Sequence, residues 1–158
     1  MEKLSTSTVV KIGIVTKDIN DVVNRYKRLF NLKSEPVVNV PDPANPKPVA
    51  EGAYKRYKGE ENQILLKWAH IDLEPIYLEI LEPFDDTPSP WLDHLNKFGT
   101  SICFISFYVE GFRNEIDLME KEEYAQLFEE EKGHERYAYF DTLEKLGVTI
   151  ELKERDTL

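Results

Sequence analysis

Cysteine is almost missing from this sequence. Cys103 is the only one among 158 residues, which excludes an intrachain disulfide and the disulfide-stapled secreted scaffolds. Its apolar neighbours make it a small core residue, not a reactive thiol. Histidine is scarce and scattered at His70, His94 and His134. His94 falls on the polar side of a helix and His134 in a turn. His70 is strand-borne and could face a pocket, but it reads first as a satisfied structural histidine. Positive charge is short as well: 20 Lys and Arg face 30 Asp and Glu, for a formal net charge of -10. That balance repels phosphate backbones and anionic lipid surfaces, so no nucleic-acid or membrane role is expected. No apolar run reaches the length of a membrane span, and Met1 to Thr6 does not follow the pattern of a signal peptide. A cytoplasmic location is expected.

What is present suits one compact α+β domain, since 41% of the residues are hydrophobic. Val9–Val15 reads as a strand with Val10, Ile12 and Ile14 on one face and Lys11 and Gly13 on the other. Asp18 then caps a helix whose apolar stripe is Ile19, Val22, Val23, Tyr26 and Phe30, with Asn31 as its stop. Pro36, Pro41, Pro43, Pro46 and Pro48 make the following segment a long loop. Ala53–Lys58 and Gln63–Ile71 read as strands. The turn Leu73-Glu74-Pro75 then leads into Ile76–Leu81, where Tyr77, Glu79 and Leu81 share a face.

The pattern repeats in the second half. Ser89 and Pro90 open a short helix that ends at Gly99. Ile102–Val109 follows as a strand with Phe104, Ser106 and Tyr108 on one face. Asn114 caps a helix through about Glu122. Tyr124–Glu130 reads as a poor edge strand, Glu135–Phe140 as an aromatic strand and Val148–Lys153 as the last. Strand, helix and three strands thus occur twice, which suggests two equivalent modules, residues 1–84 and 89–158, sharing one cleft.

On these residues the chain resembles the vicinal oxygen chelate superfamily. Lys11-Ile12-Gly13-Ile14-Val15 with Asp18-Ile19, Tyr26 and Leu29-Phe30-Asn31-Leu32 looks like that family's opening strand and helix. Leu78-Glu79-Ile80-Leu81-Glu82-Pro83 looks like its fourth strand, and Gly99 through Val109 like its fifth. Tyr137 to Thr142 with Leu146 to Leu152 looks like its closing hairpin. The resemblance implies two βαβββ modules whose sheets curl around a shared cleft. Metal-dependent members place ligands at four positions, which fall here on Lys11, Glu79, Phe104 and Glu151. Both histidines of the usual set are replaced. A lysine ammonium and a phenyl ring offer no lone pair, and two carboxylates alone suit Zn, Ni or Fe poorly. No cofactor is therefore expected; a divalent metal held by Glu79 and Glu151 is the alternative. Lys11 is expected to stand in the metal's place, paired with Glu79, Glu151 or both.

Two functions from different classes follow. The first is a metal-independent protein that binds a small organic molecule, in the manner of bleomycin-resistance proteins, with Tyr77, Phe104, Ser106 and Tyr108 lining the cleft. The second is an isomerase or lyase of the epimerase or glyoxalase type. There Glu79 or Glu151 takes a proton next to a carbonyl and Lys11 stabilises the enolate. Ring-cleaving dioxygenase chemistry is not expected. A third reading has the proline-rich loop contact a protein partner. Since family members often pair, a homodimer is expected.

Overall fold

A computed structural model describes residues 1–157. The fold is mixed α+β, with nine strands and four helices among the described residues. The chain forms two compact units that interleave in sequence. One, here the Lys11 unit, holds Lys11–Lys47 and Ile64–Cys103; the other, the Glu151 unit, holds Met1–Val10, Pro48–Gln63 and the chain from Phe104 onward.

In the Lys11 unit, strand β1 (Val9–Val15, shared at its start with the other unit) runs parallel to β5 (Tyr77–Pro83), and β5 pairs antiparallel with β4 (Leu66–Asp72). Helix α1 (Ile19–Leu29) starts where the sequence predicts, with the Asp18 carboxylate accepting from the Asp21 amide at 3.0 Å. It stops at Phe30, one residue before the expected Asn31. Ile19 and Val23 pack into a core with Ala69, Ile71, Leu78 and Ile80. Strand alternation therefore sends Trp68, His70, Tyr77 and Glu79 to the other face. The proline-rich stretch carries no helix, and its only ladder contact is Asn39 bridging Trp68. Helix α2 (Pro90–Phe98) begins at a Ser89 cap and ends at Gly99, whose φ of 71° favours a residue without a Cβ.

The Glu151 unit repeats the plan. Strand β6 (Ser101–Tyr108, shared at its start with the Lys11 unit) runs parallel to β9 (Thr149–Arg155), which pairs antiparallel with β8 (Glu135–Phe140). Beyond β8 lie β7 (Gln126–Glu131), β2 (Tyr54–Tyr57) and the two-residue β3 (Glu60–Glu61). Strand β7 is thus not the edge expected from its acidic sequence; it has β8 on one side and β2 on the other. Cations and hydrogen bonds make its acids tolerable there. Arg113 contacts both oxygens of Glu129 at 3.0 Å, and Lys55 lies 3.9 Å from Glu130. Helix α3 (Phe112–Lys121) also begins earlier than predicted. Its cap is not Asn114 but the distant Glu154 side chain, which accepts from the Gly111 amide at 2.8 Å and the Phe112 amide at 3.2 Å. Phe112, Ile116 and Met119 pack on Ala138, Phe140 and Leu152. A short helix α4 (Leu143–Leu146) leads into β9.

The same device opens α1, where the Glu82 carboxylate accepts from the Ile19 amide at 3.0 Å. Each unit thus caps a helix with a glutamate from the last strand of its parallel pair. Arg136, itself 3.0 Å from Glu154, holds that carboxylate in place. Glu154→Ala removes an acceptor for two amides, so the variant is expected to lose about 1–2 kcal/mol. A thermal melt followed by circular dichroism should read this as a drop of roughly 2–8 °C; an unchanged midpoint would exclude the cap as a stabilising contact.

Glu129 gives the fold a pH dependence. Burial pushes its carboxyl up, but hydrogen bonds from Arg113, Tyr54 and Gln126 outweigh this and hold it below the usual carboxylate value of 4.5. A folded-state value below the unfolded one adds stability above about pH 4.5 and loses it as pH falls through the depressed value. Urea midpoints are expected to decline below pH 4.5, and less steeply in Arg113→Ala. Parallel declines in the two proteins would contradict this assignment.

Candidate functional site

The β1 cation and the β5 carboxylate meet. Lys11 Nζ lies 3.6 Å from Glu79 Oε1, with the lysine side chain 3% exposed and the glutamate 18%. Period-two alternation explains the placement, because Ile12 and Ile14 turn to the helix-covered core and Lys11 must turn away from it. Gly13 lies directly opposite Glu79 in the parallel ladder and adds no side chain there.

A third group completes the cluster. His70 sits opposite Glu79 in the antiparallel ladder, and its Nε2 lies 3.0 Å from Glu79 Oε2. The sequence reading of His70 as a structural histidine is corrected here: its imidazole is 45% exposed and joins the carboxylate at the centre of this face. The Trp68 and Tyr77 rings flank it, with centroids 4.9 and 4.8 Å away. Glu79 therefore carries a buried ammonium on one oxygen and an accessible imidazole on the other. Such a carboxylate can take up a proton, and the imidazole beside it can pass one on.

The remaining candidates lie in the Glu151 unit. The Ser106 hydroxyl donates to Glu151 Oε1 at 2.5 Å, and both residues are buried. Phe104 is buried against Tyr139, with ring centroids 4.9 Å apart; Phe128 lies 5.8 Å from the same ring. Tyr108 is half-buried, with the Arg155 guanidinium 4.9 Å from its ring centre. Further along β9, Lys153 reaches Glu135 at 3.3 Å. Among the described residues no three His, Cys, Asp or Glu side chains group as a metal would need. No described helix is long and apolar enough to cross a membrane.

Of the other two histidines, His134 lies 3.9 Å from Glu135 Oε1 and His94 contacts Ser101. His94 Nε2 lies 3.0 Å from Ser101 Oγ, and burial lowers its pKa below 6.5. His134 is exposed in the turn before β8.

Residues 11–140 match the family model described as Glyoxalase/Bleomycin resistance protein/Dioxygenase superfamily. No curated protein matches. Among solved structures, the chain is similar to methylmalonyl-CoA epimerase from Mycobacterium tuberculosis, with 13% identity, TM-score 0.64, and 99% of this chain and 93% of that one covered. It is also similar to a Streptomyces coelicolor methylmalonyl-CoA epimerase variant in complex with 2-nitronate-propionyl-CoA, with 18% identity, TM-score 0.65 and 98% of each chain covered. A hypothetical protein of Bacillus halodurans C-125 matches at 19% identity and TM-score 0.65, with 96% of each chain covered.

Proposed function

This chain belongs to the glyoxalase/bleomycin resistance protein/dioxygenase superfamily, and we propose that it binds a small organic ligand at the Lys11–Glu79 face without a transition metal. The observation that carries this reading is the buried ammonium 3.6 Å from Glu79. The family resemblance assigns metal ligands to positions 11, 79, 104 and 151. Here Lys11 and Phe104 have no lone pair to give, so the residues present do not fit a metal that favours imidazole. A fixed ammonium supplies positive charge at the same place and suits a ligand with a carbonyl or carboxylate oxygen. The test is a heteronuclear NMR screen of carbonyl-bearing organic acids, with and without EDTA. Binding that perturbs the amides of β1 and β5, survives EDTA and disappears in Lys11→Met is expected. Binding abolished by EDTA would overturn the reading.

A second reading is proton transfer next to a carbonyl, and the His70–Glu79 contact at 3.0 Å favours it. Glu79 is the base in this reading, not Glu151, because Glu151 is 1% exposed and already accepts from Ser106. The α-proton passes to the Glu79 carboxylate, the enclosed Lys11 ammonium 3.6 Å from Glu79 stabilises the developing negative charge through its field, and a proton returns to carbon to complete an isomerisation. The solved epimerases make methylmalonyl-CoA the first compound to try. Exchange of its α-proton with deuterated solvent is expected; no exchange above the uncatalysed rate would leave the binding reading alone.

A further inference from the structure

Trp68 is the one large aromatic residue of the Lys11 face that is exposed. It sits on β4 with 40% of its surface open. It does not stand alone, because His70 and Tyr77 continue the aromatic surface at centroid spacings of 4.9 and 4.8 Å. The rings are tilted to one another by 48° and 52°, so they form a stepped surface and do not bury their faces in one mutual stack. The core side of the same strand is filled by Ala69 and Ile71, both fully buried, so packing does not require a tryptophan at position 68. Next to this surface stands the Glu79 carboxylate, an acceptor for a ligand N–H or O–H.

We propose that the Trp68–His70–Tyr77 surface is a stacking platform that selects ligands with a planar aromatic or heteroaromatic ring carrying a hydrogen-bond donor for Glu79. The inference rests on the ligand-binding reading above and narrows it to a ligand class. Stacking needs a flat π-face, whereas simple apolar burial does not, so flatness is the property that separates them. The backbone carbonyl of Trp68 accepts from the Asn39 amide at 2.8 Å, which fixes the base of the indole from the proline-rich side.

The experiment compares naphthalene-2-carboxamide with its fully saturated decahydro counterpart, which keeps the amide donor and loses the flat ring. Both are titrated into the whole chain, and the two indole N–H resonances are followed. Trp91, 2% exposed in the core, serves as the internal reference. The expected result is a shift confined to the Trp68 indole, with the saturated amide binding about two- to tenfold more weakly. Trp68→Phe should keep part of the affinity, and Trp68→Leu should lose the preference for the flat ring. Equal binding of the two amides, or an undiminished preference in Trp68→Leu, would overturn the platform. If organic acids still perturb β1 and β5 in that case, the ligand-binding reading stands without it. If neither amide nor any acid perturbs this face, both fall.

Discussion

Glutamine in place of Glu79 is expected to slow α-proton exchange by a hundredfold or more, if the Lys11 face transfers protons. A positioned general base contributes about 10²–10⁴ in rate, and an amide cannot take up the proton. The substitution keeps the shape of the side chain and its reach toward His70, which is 3.0 Å from one carboxylate oxygen. Binding should therefore change less than turnover. His70→Gln provides the comparison. It removes the exposed group next to the base and leaves the Lys11–Glu79 pair, so a smaller fall, about tenfold, is expected. The measurement is deuterium incorporation by mass spectrometry at several pH values. Equal exchange in Glu79→Gln and the parent would remove Glu79 from the chemistry. A large loss in Glu151→Gln alone would move the base to the other unit.

Replacing Lys11 by methionine is expected to destabilise the fold by about 3 kcal/mol, because it strips the cation from a carboxylate that is mostly enclosed. Lys11 is 3% exposed and Glu79 18%, so solvent cannot fully take over the lost partner. For a chain of this length the midpoint should fall by roughly 6–12 °C. The double variant Lys11→Met with Glu79→Met should recover most of the loss, since replacing both members of a buried pair with apolar groups is often close to neutral. That non-additivity, read from a double-mutant cycle in urea, distinguishes an ion pair from simple packing of the lysine stem. Additive losses would show that the ammonium and carboxylate act independently.

The opening strand, α1 and α2 were legible because their signals are local. Alternation placed Lys11 opposite the apolar face, and the caps at Asp18 and Ser89 lie beside the helices they start. Helix α3 was misplaced because its cap comes from Glu154, which no window around Asn114 contains. Strand β7 was read as an edge because its acids stand alone in sequence; Arg113 and Lys55 answer them only through the fold. His70 was read as structural because a lone strand histidine is more often satisfied than functional. Its partner Glu79 lies across the hairpin, where the ladder sets the two directly opposite. The Lys11–Glu79 meeting needed both a face assignment and a parallel pairing, and only the family resemblance supplied the second.

Glu79 and Glu82 lie three positions apart on β5 and face opposite sides of the strand. One meets Lys11 and His70, and the other holds the first turn of α1. Glu151 and Glu154 repeat that spacing on β9, toward Ser106 and α3. The odd interval acts as a pin through the sheet. A slide of one residue would point both carboxylates the wrong way, and a slide of two would keep the faces but pull each helix off its cap. Substitutions around these strands should then be tolerated far better than insertions or deletions between the paired glutamates, since a single added residue detaches the helix from the chemistry it positions.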